Sequence, residues 1–439
     1  MDTFFPGILL AYLLSFRQAF TSPSFDTFKA YVWSMMVVKG CKCITKIAES
    51  CFFVGKHLSS FERFLSENHW DLNEVLQLLF KEICRFLGDK VLVDGAYLLA
   101  LDTTLLAKSS KRMPGIQKWC DGSGNSDRHN WIIGHHWAIG GLLCSLSDRW
   151  FFWPILMRLI SGQKNPSHWV ADKDGLRPQS FWESTVALIL QVKSWLIESK
   201  IRVVADAYFS KAPFIAALLE AEIDFISRLR KDAVAWDDAP PYCGRGRPRK
   251  QGRRWKLAQL PALCPTSAVM VKIYGKIHPL SIVVRDVWLR DVPRKVRVVV
   301  ICGKTEPIIL LSTDLTLSAT QIISIYAARF TMEIGIRDLK QYFGLGDYQC
   351  YRFQSILRFV NLSCLSFCVW LLVMLENEST DSFSTNASSV VVESRFSFRR
   401  LRRNVRRFVI KRLIFSNSND DADFQKIETQ YQQLFRFAA

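Results

Sequence analysis

Cysteine pairs with the spacing of zinc sites or redox motifs are absent from this 439-residue sequence. Its twelve cysteines are scattered, with one Cys-x-Cys (Cys41 and Cys43) and no Cys-x-x-Cys. Disulfide frameworks and zinc fingers need regular, paired spacing. The pattern therefore argues against both classes and predicts reduced thiols in a cytoplasmic protein.

Long uninterrupted apolar runs are also scarce, which bears on whether the chain crosses a membrane. The run from Phe4 to Phe16 is too short for a span and contains Pro6. The run from Phe359 to Leu375 comes nearer to the roughly 20 residues required, but Asn361 and other polar side chains interrupt it. We predict a buried helix at 359–375 and no membrane partner.

Acidic residues are too few to balance the basic ones. There are 40 Asp and Glu against 58 Lys and Arg, which gives a net charge of +18. Two segments, 245–256 and 395–412, contain seven and nine positive charges and no acid. Such an excess indicates an anionic partner, either a nucleic acid or a membrane surface, and says nothing about the fold.

The second basic segment has the pattern of an amphipathic helix. Phe398, Leu401, Val405 and Phe408 fall on one face, with arginines around them. A helix lying on an anionic membrane is one interpretation. We favour a helix that docks on the rest of the protein and turns its arginines toward phosphate.

Residue patterns divide the chain into regions. Residues 1–90 show helical periodicity, and from about residue 91 the pattern becomes three strands, helix, strand, helix, strand. Helix starts are predicted at the capping-box pairs Ser59 with Glu62, Asp71 with Glu74, Ser180 with Glu183 and Ser318 with Gln321. The predicted regions are 1–90 (a helical DNA-binding domain), 91–230 (first part of the core), 231–317 (a β-rich insertion with a basic loop), 318–375 (last part of the core), 376–394 (a polar linker) and 395–439 (a basic helical C-terminal region).

Three carboxylates stand where one site could gather them. Asp102 lies near the end of the apolar strand predicted at 96–104, and Asp206 ends another apolar strand. Carboxylates at strand ends can converge on one edge of an open α/β sheet, and Glu333 lies on a predicted helix that could pack there. Such an oxygen-rich pocket suits Mg²⁺ or Mn²⁺, and two ions about 4 Å apart would serve phosphodiester cleavage.

The predicted helix that carries Glu333 presents cations on the same face. In the segment IYAARFTMEIGIRDLK, at about 100° per residue, Tyr326, Arg329, Glu333, Arg337 and Lys340 fall within about 80° of one another. Cations around one acid suit a phosphate backbone beside a metal. The alternative is that the arginines and Glu333 form i,i+4 ion pairs on a solvated face. Spacing alone leaves both interpretations open.

The spacing Tyr326-x2-Arg329-x3-Glu333-x6-Lys340 resembles, without a gap, the Tyr–Arg–Glu–Lys signature of a group of bacterial insertion-sequence transposases. These are DDE transposases with an RNase H-like catalytic core. The segments ALDTT and VADAYFS are similar to the two aspartate strands of that family. The resemblance implies an α/β fold: an RNase H-like mixed sheet flanked by helices, with a β-rich insertion before the last catalytic acid and a helical N-terminal domain.

The resemblance also implies which residues are functional. The catalytic residues and ligands of Mg²⁺ or Mn²⁺, as a pair of ions, would be Asp102, Asp206 and Glu333. The residues in contact with DNA would be Tyr326, Arg329 and Lys340, to which we add Arg337 from the same face.

The implied activity is metal-dependent cleavage and strand transfer at the inverted-repeat ends of an insertion sequence. The expected partners are double-stranded DNA and a second copy of the chain in a synaptic homodimer. The expected location is a bacterial cytoplasm, in association with the nucleoid. Two other functions stay open: a metal-dependent nuclease or resolvase without strand transfer, and a catalytically inactive DNA-binding derivative.

The basic loop offers a second group of DNA contacts. The segment GRGRPRK (244–250) contains an Arg-Gly-Arg-Pro core that resembles an AT-hook, whose arginines enter a narrow A·T minor groove. The alternative is a flexible loop that holds phosphates without sequence preference. Both interpretations assign DNA contacts to Arg245, Arg247, Arg249 and Lys250.

Overall fold

The computed structural model describes residues 5–51, 55–110, 112–120, 131–161, 180–196, 199–242, 244, 247–303, 306–379 and 397–414, with backbone only at 378–379 and 409–414. The structural statements that follow concern these residues.

The helices fall into an N-terminal group, a group between the strands and a C-terminal group. They are α1 (Gly7–Leu14), α2 (Ser22–Val37), α3 (Ile44–Glu49), α4 (Leu58–Ser66), α5 (Leu72–Leu87), α6 (Phe181–Lys193), α7 (Ala212–Glu220), α8 (Leu260–Leu263), α9 (Ala319–Ala328), α10 (Phe330–Tyr342), α11 (Phe353–Ser379) and α12 (Phe398–Ile414).

The strands all belong to one connected, mixed sheet. They are β1 (Leu92–Val93), β2 (Ala96–Ala107), β3 (Gln117–Cys120), β4 (Trp131–Leu146), β5 (Arg149–Ile160), β6 (Ile201–Ala205), β7 (Asp224–Leu229), β8 (Val234–Trp236), β9 (Arg254–Lys256), β10 (Ser267–Ile273), β11 (Lys276–Leu289), β12 (Val296–Ile301) and β13 (Ile308–Ser312). The short strand β3 was not predicted from the sequence.

The order of strands in the sheet places β2, β6 and β7 at its centre. The sequence of neighbours is β3-β4-β2-β6-β7-β13-β12-β11-β8-β9, with β5 paired to β4, β1 to β2 and β10 to β11. The pairs β2–β6 and β6–β7 are parallel, whereas β4 is antiparallel to both β2 and β5. Every residue of β6 is buried, as expected for a parallel strand covered on both faces. The predicted mixed α/β sheet with flanking helices is confirmed.

The β-rich stretch at 231–317 continues the main sheet. Its last strand, β13, pairs antiparallel with β7, and β12 and β11 follow in order. The sequence could not reveal this contact, because it joins strands about 80 residues apart in the chain. The division of the chain into the six predicted regions remains a prediction.

The helix α11 contains the apolar run that resembled a membrane span. It is long and apolar enough to cross a membrane by length and composition alone, but 94% of its most apolar stretch is buried inside the protein. The Asn361 side chain explains part of that burial, because its Oδ1 accepts from the Met157 amide at 2.8 Å and its Nδ2 donates to the Met157 carbonyl at 3.1 Å. The prediction of a buried helix is confirmed, and the prediction of no membrane partner stays a prediction.

Local capping signals agree with the structure at three of the four pairs. Asp71 is the N-cap of α5, and its side chain accepts from the Glu74 amide. Ser180 with Glu183 and Ser318 with Gln321 form complete capping boxes. The pair Ser59 with Glu62 was wrong, because His57 occupies the N-cap of α4 and its ring accepts from the Ser59 amide.

One predicted boundary also differs from the structure. The helix α11 continues to Ser379, so the linker predicted at 376–394 begins at least four residues later than expected, and residues 380–396 lie outside the described ranges. The basic segment forms α12, which docks through the buried side chains of Phe398 and Val405 as predicted.

Candidate active site

Asp102 lies inside β2, five residues before the strand ends. The strand predicted at 96–104 extends to Ala107, because the 16-residue strand β4 pairs with β2 through and beyond Asp102. The parallel pairing with β6, however, stops at Leu101 and Ala205, one residue earlier. Asp102 therefore marks the point where β2 loses one of its two neighbours, and its side chain is 22% exposed there.

Asp206 follows the last residue of β6, as predicted. Its Oδ1 accepts from the Tyr208 amide at 3.0 Å, and its carbonyl accepts from the Ser227 hydroxyl at 2.7 Å. The register that pairs Leu101 with Ala205 puts Asp206 next to Asp102 on the neighbouring strand, and such strands lie about 4.8 Å apart. The β2–β6 pair thus brings the two aspartates together.

Arg329 connects Glu333 to Asp102. The Arg329 Nη2 atom lies 2.8 Å from Glu333 Oε1, and its Nη1 atom lies 3.6 Å from Asp102 Oδ2. The i,i+4 ion pair expected for a solvated face does exist, but Arg329 is only 13% exposed and also faces the aspartate. Sequence spacing did not reveal this second contact.

The helix expected to carry the whole stripe consists of two consecutive helices. Tyr326 belongs to α9, Glu333 belongs to α10, and Arg329 stands at the junction with right-handed helical backbone angles. The Arg329 guanidinium lies 5.8 Å from the centre of the Tyr326 ring. Because the backbone at the junction keeps helical angles, Tyr326, Arg329 and Glu333 have the relative positions expected for one continuous helix.

Burial governs the electrostatics of the site. It raises the pKa of Asp102 to about 6, and the charges of Asp206 and Glu333 add to that effect. The Thr103 amide, which donates to Asp102 at 2.7 Å, and the Arg329 guanidinium oppose it. The Arg329 Nε atom is buried and has no hydrogen-bond partner, so this arginine is only partly satisfied by the acids around it.

Arg337 and Lys340 lie beside Glu333 along α10. Together with Ile336 and Gln341 they line an open depression on that face of the helix. Arg337 is 67% exposed and pairs with Asp338 at 3.2 Å. The depression is therefore basic along one side and opens to solvent next to the acids.

The carboxylates are not yet arranged as a ready metal site. Within the described ranges, no three His, Cys, Asp or Glu side chains are grouped closely enough to hold an ion. The cation found between Asp102 and Glu333 is instead the Arg329 guanidinium. The chemistry of three carboxylates fits Mg²⁺ or Mn²⁺, but Arg329 now holds two of them.

The basic loop lies on another part of the sheet. Arg247, Arg249 and Lys250 are exposed in the connection between β8 and β9, five strands away from β6 in the sheet order. Arg245 lies outside the described residues. The structure therefore does not bring this loop to the acids, and its assignment to DNA stays a prediction.

An aromatic surface beside Asp206 was not singled out from the sequence. Tyr208 is 57% exposed and stacks on Trp182, with ring centres 5.8 Å apart and planes 11° apart. Its position two residues after a candidate catalytic acid was the one signal in the sequence. The exposure of its ring could not be inferred, because α6 brings Trp182 from elsewhere in the chain.

Two family models match this chain. Residues 15–275 match the family described as DDE superfamily endonuclease, and residues 182–369 match the family described as transposase DDE domain. No curated protein is similar enough to count as a match. A solved piggyBac transposase synaptic complex with hairpin DNA is 12% identical, with 95% of this chain and 80% of that chain covered and a TM-score of 0.40. The matched family ranges together contain all three candidate acids.

Proposed function

Because this chain belongs to the DDE superfamily of endonucleases, we propose that it is a transposase that cuts and joins DNA at the inverted-repeat ends of an insertion sequence. The observation that carries the proposal is the proximity of three acids that are distant in sequence, at the point where β2–β6 pairing ends. Asp102, Asp206 and Glu333 would be the catalytic residues. A bacterial origin and membership of the Tyr–Arg–Glu–Lys group are part of the same proposal.

An RNase H-like core is the fold we propose for the central sheet. Its support is the strand order β5-β4-β2-β6-β7, in which antiparallel strands are followed by two parallel ones. Such a sheet exposes side chains where its central strands lose their neighbours, and Asp102 and Asp206 lie at that point.

Asp102, Asp206 and Glu333 would hold the divalent ions that the proposed reaction requires. A pair of such ions activates a nucleophile and stabilises the leaving oxygen in phosphodiester cleavage. Asp102 and Asp206 supply carboxylates fixed by strand geometry, and Glu333 supplies one from a helix. The half-exposed position of the Glu333 side chain, at 43%, leaves an approach for the DNA strand.

DNA would be the principal partner, held by cations next to the acids. Arg329 and Tyr326 would meet the strand at the reacting phosphate, and Arg337 and Lys340 would hold the strand along the depression on α10. The exposed Arg247, Arg249 and Lys250 would contact DNA separately. Pairing of two DNA ends would need a homodimer, and the site of action would be the nucleoid in a bacterial cytoplasm.

One assay distinguishes the proposal from its two alternatives. Purified protein is incubated with Mg²⁺ and a labelled duplex that carries the repeats flanking its gene. Joined products support the transposase, cleavage without joining indicates a nuclease or resolvase, and binding without cleavage indicates an inactive derivative. The variant Glu333→Gln should abolish cleavage and joining in the same preparation while DNA binding persists.

A further inference from the structure

Arg329 occupies the position of a cation between Asp102 and Glu333. Its Nη2 atom lies 2.8 Å from the glutamate and its Nη1 atom lies 3.6 Å from the aspartate. A guanidinium cannot lose its proton at any ordinary pH, so it stays a positive charge in contact with both acids. A divalent ion bound by the same oxygens would meet this charge at short range. Arg329 and a metal ion therefore compete for Asp102 and Glu333.

Arg329 also has unused hydrogen-bonding capacity. Its Nε atom is buried without a hydrogen-bond partner. Its Nη1 atom lies 3.6 Å from Asp102 Oδ2, which is longer than a hydrogen bond. A buried donor without a partner is energetically unfavourable. Two oxygens of a DNA phosphate can accept the pair of parallel hydrogen bonds that a planar guanidinium donates. Moving to a phosphate would satisfy Arg329 and free both carboxylates.

We propose that Arg329 exchanges between the acids and a DNA phosphate, and that this exchange makes metal binding depend on DNA. Without DNA, Arg329 holds Asp102 and Glu333 and opposes the metal ion. With DNA, the phosphate takes Arg329 and the carboxylates become free to bind the ion. Because coupling between two ligands is reciprocal, metal ions also strengthen DNA binding by the same factor. This inference rests on the proposed function of the site.

The exchange is tested by titrating Mn²⁺ into the full-length protein and following bound ion by electron paramagnetic resonance, with and without a blunt duplex of mixed sequence. For the natural protein we expect the duplex to tighten Mn²⁺ binding between about 5- and 150-fold, the usual range of such coupling. In Arg329→Gln, Mn²⁺ should bind tightly without DNA, and the duplex should add little. Arg329→Lys, which keeps the charge, should retain part of the coupling and serves if the glutamine variant folds poorly.

The matched control is Lys272→Gln, which removes one positive charge that pairs with Asp148. It should bind Mn²⁺ as the natural protein does. The exchange would be overturned if the natural protein and Arg329→Gln bound Mn²⁺ with equal affinity and Asp102→Asn abolished that binding in both. The transposase proposal would then remain intact. Failure of the transposase proposal shows itself separately, as absence of divalent-ion-dependent cleavage.

A second surface, independent of the acids, is the arginine face of α12. The helix docks through Phe398 and Val405, and Phe398 packs against Phe343 at the end of α10 with ring centres 5.0 Å apart. Between Phe398 and Phe408 the helix has six arginines and no acid. At about 100° per residue, Arg399, Arg400, Arg403 and Arg407 lie opposite the docked apolar stripe, and all four are exposed.

The docking position fixes α12 relative to the acids. The helix α12 contacts Tyr342, the last residue of α10, and Phe343, the residue after it, which follow Glu333 by nine and ten positions. At 1.5 Å per residue this is about 14 Å along the helix axis. A duplex that leaves the acids along α10 would reach α12 after about four base pairs at 3.4 Å each. Arg406, which donates to the Val37 carbonyl at 2.8 Å, ties the other side of α12 to α2.

The geometry points to α12 as a clamp on the phosphates of duplex DNA a few base pairs from the acids. The test compares the natural protein with a variant in which Arg399, Arg400, Arg403 and Arg407 are glutamine. Binding to a mixed-sequence duplex is measured by fluorescence anisotropy over a range of salt concentrations. We expect weaker binding and a salt slope lower by about 0.9 for each phosphate that the variant no longer neutralises.

The control removes four positive charges that belong to other elements of the protein. They are Lys231, Lys272, Lys295 and Arg85, which pair with Glu306, Asp148, Asp238 and Glu82. This variant should keep the natural salt slope. An equal loss of DNA affinity in both variants would assign the effect to net charge and overturn the clamp. The clamp would also be overturned if the natural protein bound phosphatidylserine vesicles and the α12 variant bound DNA as tightly as the natural protein does. Neither measurement requires cleavage, so the outcome does not depend on the transposase proposal.

Discussion

Two arginines at opposite ends of β6 have opposite surroundings. Arg202, near the start of the strand, is 3% exposed; its Nε and Nη2 atoms contact Asp314 at 2.9 and 2.8 Å, and its Nη1 atom donates to two backbone carbonyls. Arg329, beside the end of the strand, contacts two acids but leaves its Nε atom without a partner. All three guanidinium nitrogens of Arg202 therefore have partners within the fold. Arg329 has one nitrogen without a partner, which leaves it able to bind a ligand.

Asp314 and Asp102, the acids near the two ends of β6, have pKa values that shift in opposite directions. Lys200, Arg202 and Thr316 donate to Asp314, and these bonds outweigh burial and hold the pKa of that carboxyl well below its usual range. At the other end burial outweighs its partners, and the pKa of Asp102 rises to about 6. A satisfied buried cluster stabilises a fold, while an unsatisfied one indicates a site. The comparison therefore separates structure from function within one strand.

The largest expected effect is the loss of cleavage in Glu333→Gln. Removing a metal ligand costs several kcal/mol of transition-state stabilisation, so we expect a fall of about a thousandfold or more. The melting temperature should hardly change, because the Glu333 side chain is 43% exposed and the amide oxygen of the glutamine can still accept from Arg329. Single-turnover cleavage and thermal unfolding check both parts. Retained cleavage, or a parallel loss of stability, would contradict the assignment.

At the other end of β6, Arg202→Met should destabilise the fold without a specific effect on the site. The substitution leaves Asp314 buried with only part of its partners, which costs about 3–5 kcal/mol. Urea denaturation measures the difference. The matched control is Arg329→Met, which we expect to cost less than half as much, because Glu333 can turn to solvent. Equal losses of unfolding free energy at positions 202 and 329 would contradict the distinction between the two arginines.

The stability provided by Asp314 should depend on pH. Its folded-state pKa lies below the ordinary value of 3.8, so the ionised carboxylate stabilises the fold above that value and the benefit disappears as the pH falls below it. We therefore expect Asp314→Asn to be destabilised relative to the natural protein at pH 7 and the gap to narrow below about pH 4. Urea denaturation of both proteins from pH 7 to pH 3 gives the free energy of unfolding at each pH. A gap that stays constant would contradict the ion-pair account.

The smallest effect is expected for Arg337→Gln on DNA affinity. Arg337 is 67% exposed and would neutralise one phosphate at the rim of the depression. Its removal should lower the salt slope by about 0.9 and leave the melting temperature unchanged. Salt-dependent anisotropy with a mixed-sequence duplex provides the value. An unchanged slope would remove Arg337 from the DNA surface.

Local pattern was sufficient to predict the elements that carry the acids. The apolar run before Asp206 is β6, and the capping box at Ser318 begins the helix pair that leads to Glu333. Parallel strands with acids at matching positions made the proximity of Asp102 and Asp206 predictable. These features depend on residues close together in the chain, where periodicity and capping chemistry are informative.

Contacts between distant segments could not be predicted in the same way. The extension of β2 past Asp102 depends on the length of β4, and the contact of Arg329 with Asp102 joins residues more than 220 positions apart. Likewise His57 replaced Ser59 as the cap of α4, because both side chains can accept from the same turn and only the packed structure decides between them.

The central claim is that the carboxylate at position 102 binds the divalent ion used in DNA cleavage. The most direct measurement is cleavage by Asp102→Cys in Mg²⁺ and in Mn²⁺, with the melting temperature as a check on folding. A thiolate is a poor ligand for Mg²⁺ and a better one for softer metals. The account predicts no cleavage with Mg²⁺ and recovered cleavage with Mn²⁺. Full activity with Mg²⁺, or no recovery by a well-folded variant, would contradict it.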